Sequence, residues 1–175
     1  MFDMFRRAIE ADFDEAWQLY TDVCGQMPND AYGPHWQLGI FPAEEDVKGY
    51  LERGQLYLGF IEGRLVAAMA LTSCDDEQYA DMVWPSGVHG DDASVIHLLA
   101  IHPSMRGMHL GSALVQVAIR LAREMGKKAI HLDVYPGNLA ASRIYLSEGF
   151  SYVGMYESYY EDTGTMAFEM YEYVL

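Results

Sequence analysis

The sequence predicts a single α/β domain, and three observations carry that expectation. The chain has 175 residues, 51% of them apolar and 21% charged, which is the size and composition of one globular domain with a buried core. From Ala93 onward, strand-like apolar runs alternate with helix-length amphipathic segments, the pattern of βαβ crossovers and parallel pairing. Upstream, QLYLGFIEGRLVAAMALTS reads as two apolar strands joined through Glu62 and Gly63, a hairpin.

The elements come in this order. In DFDEAWQLYTDVC, residues Phe13, Ala16, Trp17, Tyr20 and Val23 recur at helical spacing, with Asp12 and Glu15 placed as a capping box, so a first helix is expected. FPAEEDVKGYLERG puts Pro42 at a helix start, acids in its first turn and Gly54 at its C-terminal cap, which predicts a second, short helix. After the hairpin, residues 74–92 hold six acids, Trp84 and Pro85 in a long excursion, and loops of that length in compact domains are often functional. ASVIHLLAI is then a strand, and LGSALVQVAIRLAREMG a helix with Leu110, Leu114, Val117, Leu121 and Met125 inward. AIHLDV is next as a strand, LAASRIYLSEG as a helix, FSYVGMY as a strand, and TMAFEMYEYVL as a last strand antiparallel to its predecessor.

Composition narrows the function. A net charge of -15 opposes nucleic acid and anionic membranes, both of which would be repelled at long range, and favours a cationic partner. No apolar run approaches the roughly 20 residues that span a bilayer, and MFDMFRRAIEADFDEAW lacks the apolar segment and cleavage site of a signal peptide, so a soluble, cytoplasmic protein is expected. Cys24 and Cys74 are far apart and without metal-ligand spacing, which points away from a disulfide framework and from a metal centre. Charge is also uneven: Arg106, Arg120, Arg123, Lys127 and Lys128 face the single acid Glu124 between Ile101 and Leu132, a basic island where an anionic cofactor can bind or, alternatively, a solvated helix face with a basic last turn.

The island begins at RGMHLGSALV, between a strand ending at Ile101 and a helix. That geometry suits pyrophosphate, because the first N–H groups of a helix have no intrahelical partner and its dipole favours negative charge. GxxxxGK[ST] is absent, and so is GxGxxG after a strand, which disfavours P-loop hydrolysis and dinucleotide binding.

LLAIHPSMRGMHLGSALV resembles the fingerprint of the GNAT superfamily of acyl-CoA-dependent N-acetyltransferases, a Pro a few residues before Q/R-x-x-G-x-G/A opening a helix: here Pro103, Arg106 and Gly111, with His109 where the motif's middle glycine usually stands. NLAASRIYLSEGF matches the family's downstream signature through Asn138, Ala141, Tyr145, Gly149 and Phe150. The resemblance covers roughly residues 93–153 and extends more thinly upstream, for fold only, to small members of unassigned substrate. It implies a mixed, centrally splayed β-sheet flanked by helices in three layers. It also implies acetyl-CoA (coenzyme A) as co-substrate, without metal: the pantetheine arm pairs with Leu99, Ala100 and Ile101, and the pyrophosphate rests on Arg106, Gly107, Met108, His109, Leu110, Gly111 and Ser112. Asn138 then fixes the arm or caps the helix, at which Asn is also favoured, Ser142 on the same helix joins the cofactor site, and Tyr145 stands at the proton-donor position unless it is a core tyrosine.

The chemistry can be argued from the residues. A lysine-like amine has a pKa near 10.4 and must lose a proton before it attacks the thioester, while the departing thiolate gains from a nearby donor. His97, two residues before Leu99 on the same alternating face unless a bulge changes the phase, suits base duty with an imidazole pKa near 6.5. Asp75, Asp76, Glu77, Asp91 and Asp92 are loop acids able to act through water; with Glu157, Glu161 and Asp162 among Tyr152, Tyr156, Tyr159 and Tyr160 they outline an acidic, aromatic region that prefers a cation. The expected function is acetyl transfer by direct attack in a ternary complex on a small-molecule or peptide amine, with a homodimer as the family's suggestion. Two other readings stand beside it: a non-catalytic acyl-CoA sensor, and a structural protein whose cofactor site the His109 departure has disabled.

Overall fold

The computed structural model describes residues 2–29, 33–75, 77–79, 81–160 and 164–175. Within them seven strands and four helices run β1 (Met4–Arg7), α1 (Phe13–Gln26), α2 (Glu44–Glu52), β2 (Leu56–Ile61), β3 (Arg64–Leu71), β4 (Ala93–Ile101), α3 (Leu110–Glu124), β5 (Ala129–Val134), α4 (Leu139–Ser147), β6 (Ser151–Tyr160) and β7 (Gly164–Val174). The strands form a mixed, open sheet in the order β1-β2-β3-β4-β5-β7-β6. The chain divides into two compact units.

The first unit takes the N-terminal segment, His35–Leu71 and His97–Leu114. β1, β2 and β3 are antiparallel neighbours, and the β2–β3 turn has φ of +52° at Glu62 and +73° at Gly63, the left-handed pair that a two-residue hairpin needs to match strand twist. Ala16, Leu19, Tyr20 and Val23 of α1 and Val47 of α2 bury against Leu56, Leu58, Phe60, Leu65 and Ala68, at about 1.5–3 kcal/mol for each large side chain removed from water. Two helix starts differ from the sequence expectation. The Asp12 carboxylate accepts from the Ile9 N–H (2.7 Å) and pairs with Arg6 (2.6 Å), so it caps the short 3₁₀ turn before α1 and not α1 itself; the guanidinium holds its carboxyl below the usual range. α2 begins beyond Ala43, whose N–H donates to Asp46 at 2.8 Å, leaving Pro42 outside the helix, while Gly54 (φ +65°) comes just past its C-terminus as expected. β1 is not anticipated by the sequence, because four edge residues show no alternation long enough to read.

The second unit takes Thr72–Ile96 and Val115–Leu175. Here β4 pairs in parallel with β5 over Ala93–Val95 and Ala129–His131 only, although both strands run on, which is the splay expected for the fold. β5 pairs antiparallel with β7, and β7 with β6. Of the pairings just given, β4 with β5 is the parallel one: β6 turns directly into β7, and this hairpin joins β5 through its second strand. The buried stripe of α3 is also rotated from the expected face. Leu110 and Leu114 are buried with Val115, Ala118, Ile119 and Ala122, whereas Val117, Leu121 and Met125 are only half-buried, since the helix packs closest where alanines let it approach.

Candidate active site

The first unit carries the segment from His97 to Leu114. Exposure alternates along the end of β4: Leu98 and Ala100 lie in the core, while His97, Leu99 and Ile101 are half-buried on the opposite side. Leu98 has φ +50°, a left-handed conformation that costs a leucine about 1–2 kcal/mol, yet the phase that places His97 with Leu99 survives it. The buried Tyr20 hydroxyl donates to the Leu98 carbonyl at 2.9 Å. His97 stacks on Tyr50 of α2, with ring centroids 5.7 Å apart and 26° between planes.

Beyond β4, His102 donates its N–H to the Val66 carbonyl (2.8 Å), and its ring holds Ser104 (2.7 Å between Nδ1 and Oγ) at the start of the turn Pro103–Met105. Arg106, Gly107, Met108 and His109 are exposed, and the chain enters α3 at Leu110, buried with Gly111, while Ser112 is half-buried. Two of these residues are left-handed, Gly107 at φ +79° and His109 at φ +56°. A Cβ at Gly107 would meet nothing within 4 Å, so conformation alone asks for glycine there. His109 bears the same demand with a side chain attached, and its carbonyl accepts the Ala113 N–H (3.2 Å) as the helix begins.

The basic island is not one site. Arg106 stands at this loop, but Lys127 donates to the Ser73 and Asp91 carbonyls (2.7 Å to the latter), Lys128 pairs with Asp92 at 2.6 Å, and Arg123 lies over the Tyr173 ring, all beyond or at the last turn of a helix about 22 Å long. The lysines thus take the structural alternative.

In the second unit, α4 brings Asn138, Ser142 and Tyr145 together. Asn138 Oδ1 accepts the Ala141 N–H at 3.2 Å, the N-cap reading. The Ser142 hydroxyl lies 3.3 Å from the Asn138 carbonyl and 3.1 Å from Glu169, which also accepts the Tyr171 hydroxyl at 2.8 Å. Tyr145 is buried between Phe150 and Tyr171, at centroid distances of 5.4 and 6.3 Å. Burial, and after it the Asp133 carboxylate, push its phenol above the ordinary tyrosine value, so it stays protonated across the neutral range. Asp133 itself accepts a short hydrogen bond from Tyr79.

The excursion 74–92 is pinned by a buried charge cluster that is not apparent in the sequence. His131 of β5 is fully buried; its Nδ1 is 3.0 Å from both oxygens of Asp75 and its Nε2 is 3.2 Å from Glu172. Trp84 stacks on that ring at 3.6 Å and 6°, Ser86 donates to Glu172 from its hydroxyl (2.6 Å) and its N–H (3.2 Å), and Tyr79 meets Trp84 edge-on at 5.8 Å. Asp75 is thus engaged by His131, and Asp92, itself exposed, pairs with Lys128; Glu77, Asp91 and Glu157 are exposed. Asp76, Glu161 and Asp162, and the side chains of Tyr159 and Tyr160, lie outside the described residues. The one sequence signal available was the i, i+2 spacing of His131 and Asp133 on one face of β5.

The family model described as Acetyltransferase (GNAT) family matches residues 8–150. A Bacillus subtilis (strain 168) protein provisionally named [ribosomal protein bS18]-alanine N-acetyltransferase is 33% identical over 81 residues, 46% of this chain and 53% of that protein, so the chain spans about half of that relative's length. An uncharacterized N-acetyltransferase of Archaeoglobus fulgidus is 26% identical over 149 residues, 82% of this chain and 89% of its own. Among solved structures, an acetyltransferase of the same family from Streptococcus agalactiae 2603 superposes with a TM-score of 0.81 at 18% identity, covering 100% of this chain and 98% of its own, a likeness of fold.

Proposed function

This chain belongs to the acetyltransferase (GNAT) family, and from that premise we propose that it moves an acetyl group from acetyl-CoA to a primary amine by direct attack within a ternary complex. The observation that carries the proposal is the pair of left-handed residues, Gly107 and His109, that turns the chain from β4 into α3 through the exposed stretch Arg106–His109. In this reading the N–H groups of that turn, with Arg106, hold the pyrophosphate, and the edge at Leu99, Ala100 and Ile101 pairs with the pantetheine arm. Asn138 and Ser142 support the arm while also capping α4. On this account both units belong to one acetyltransferase domain.

His97 takes the proton from the acceptor ammonium, directly or through water, and the free amine forms its C–N bond at the thioester carbonyl. As the C–S bond breaks, Tyr145, kept neutral by burial, donates its proton to the departing sulfur, and the second proton, shed by the nitrogen as the amide forms, passes through water to the Tyr145 oxygen and restores the phenol. The net charge of -15 supports a cationic acceptor by attraction at long range. The Bacillus relative, named for an alanine of a ribosomal protein, matches less than half of this chain, so protein and peptide amines stand beside small amines as acceptors to be tested.

Tyr145→Phe tests the assignment. Acetyl transfer falls by on the order of a hundredfold while acetyl-CoA affinity is retained; an unchanged rate removes Tyr145 from the mechanism.

A further inference from the structure

We infer that Tyr20, a core residue of α1, is a positioning residue for acetyl-CoA: its hydroxyl anchors the left-handed peptide at Leu98 and thereby aims the edge of β4 that pairs with the pantetheine arm. This rests on the acetyl-CoA reading above and adds a residue that lies in neither sequence motif.

A leucine at φ +50° inside a strand is held there by its surroundings, because its own preference is the extended form. The carbonyl of that residue is turned to Tyr20, whose hydroxyl donates to it at 2.9 Å from a site with no solvent exposure. Tyr20 has little freedom to turn to any other partner, since its ring is enclosed by the first unit's core and lies 6.2 Å from the Trp36 ring. Burial keeps the phenol protonated, so the donor is always present. A peptide unit is planar and trans, so its N–H points opposite to its C=O. Fixing the Leu98 carbonyl toward α1 therefore fixes the Leu99 N–H away from that core. Without the anchor, the Leu98 carbonyl loses its Tyr20 donor, and the strand gains by relaxing toward the extended form, which rotates the Leu99 N–H.

The test is calorimetric titration of Tyr20→Phe with two probes, acetyl-CoA and adenosine 3′,5′-bisphosphate, the second of which reaches only the pyrophosphate turn. The inference predicts acetyl-CoA binding weakened about fivefold to tenfold, adenosine bisphosphate binding unchanged, and recovery of acetyl-CoA affinity when 4-aminophenylalanine, which restores a donor, occupies position 20. Unchanged acetyl-CoA affinity in the folded Phe variant overturns it, as does equal weakening of both probes. A Phe variant that does not fold, beside a 4-aminophenylalanine variant that does, also overturns it, since the bond would then serve the fold as a whole. Failure of the wild-type chain to bind acetyl-CoA counts instead against the proposed function.

Discussion

The turn from β4 into α3 and the cluster around His131 are both built against local preference, but by different means. The first is a backbone construction: Leu98, Gly107 and His109 all take left-handed φ within a dozen residues, and every residue from His102 to His109 stays at least partly exposed. The second is a side-chain construction: a buried imidazole held between the carboxyl groups of Asp75 and Glu172, roofed by Trp84, with ordinary strand backbone beneath it. A backbone device presents N–H groups to a ligand and leaves the chain stable enough without it, whereas a buried charge cluster is an anchor whose parts fail together. The lesson is that the first region should answer mutation mainly in binding, the second mainly in stability.

The largest effect separating them is expected from His131→Ala. Removing the shared imidazole leaves the Asp75 and Glu172 carboxyl groups buried without their partner and facing a cavity, so denaturant titration should show a loss of about 3–5 kcal/mol. A loss below about 1 kcal/mol would mean that the excursion is held by packing and not by charge, and the contrast would fail.

Alkaline unfolding sharpens the same comparison from the side of the buried tyrosines. Folded Tyr20 and Tyr145 keep their protons above the ordinary tyrosine value of 10.0, while the unfolded chain gives them up there. The folded state then binds more protons, so stability is intact below pH 10 and falls above it by about 1.4 kcal/mol per pH unit for each tyrosine. Denaturation midpoints measured from pH 8 to 11 check this, and Tyr20→Phe should reduce the slope by one tyrosine's share.

Smaller effects belong to the turn. Gly107→Ala forces a Cβ into φ +79° and should cost about 1 kcal/mol of stability while weakening acetyl-CoA binding. His109→Gly relieves the same strain at φ +56° and should raise stability by about 0.5–1 kcal/mol, the smallest change of the set. Thermal melts with and without acetyl-CoA read both. A stability loss from His109→Gly would show that the histidine side chain supports the turn despite its exposure.

The same division explains what the sequence discloses. A backbone turn must be written in contiguous residues, so Pro103, Arg106, Gly107 and Gly111 can be read together, and the hairpin at Glu62-Gly63 and the four helices are legible for the same reason. The charge cluster draws on residues 75, 84, 86, 131 and 172, whose meeting is made by the order β4-β5-β7-β6 and not by any spacing. His131 in AIHLDV looks like an ordinary strand residue until Glu172 is placed across from it in the β5–β7 register. Asp75 reads as one acid of an acidic loop, and Lys127 and Lys128 as part of a basic island, because a sequence does not show which charges are already neutralised at home. Tyr20 sits at its expected helical position, yet the use of its hydroxyl on a carbonyl 78 residues away is a tertiary fact.

The central claim is that the strained turn holds acetyl-CoA for transfer to an amine. It is tested most directly by titrating the purified protein with acetyl-CoA while monitoring thiol release across a panel of polyamines, amino sugars, amino acids and peptide N-termini. The account predicts saturable binding together with thiol release that depends on a cationic amine and collapses in Tyr145→Phe. Absence of binding, or binding without release on any amine of the panel, would contradict it.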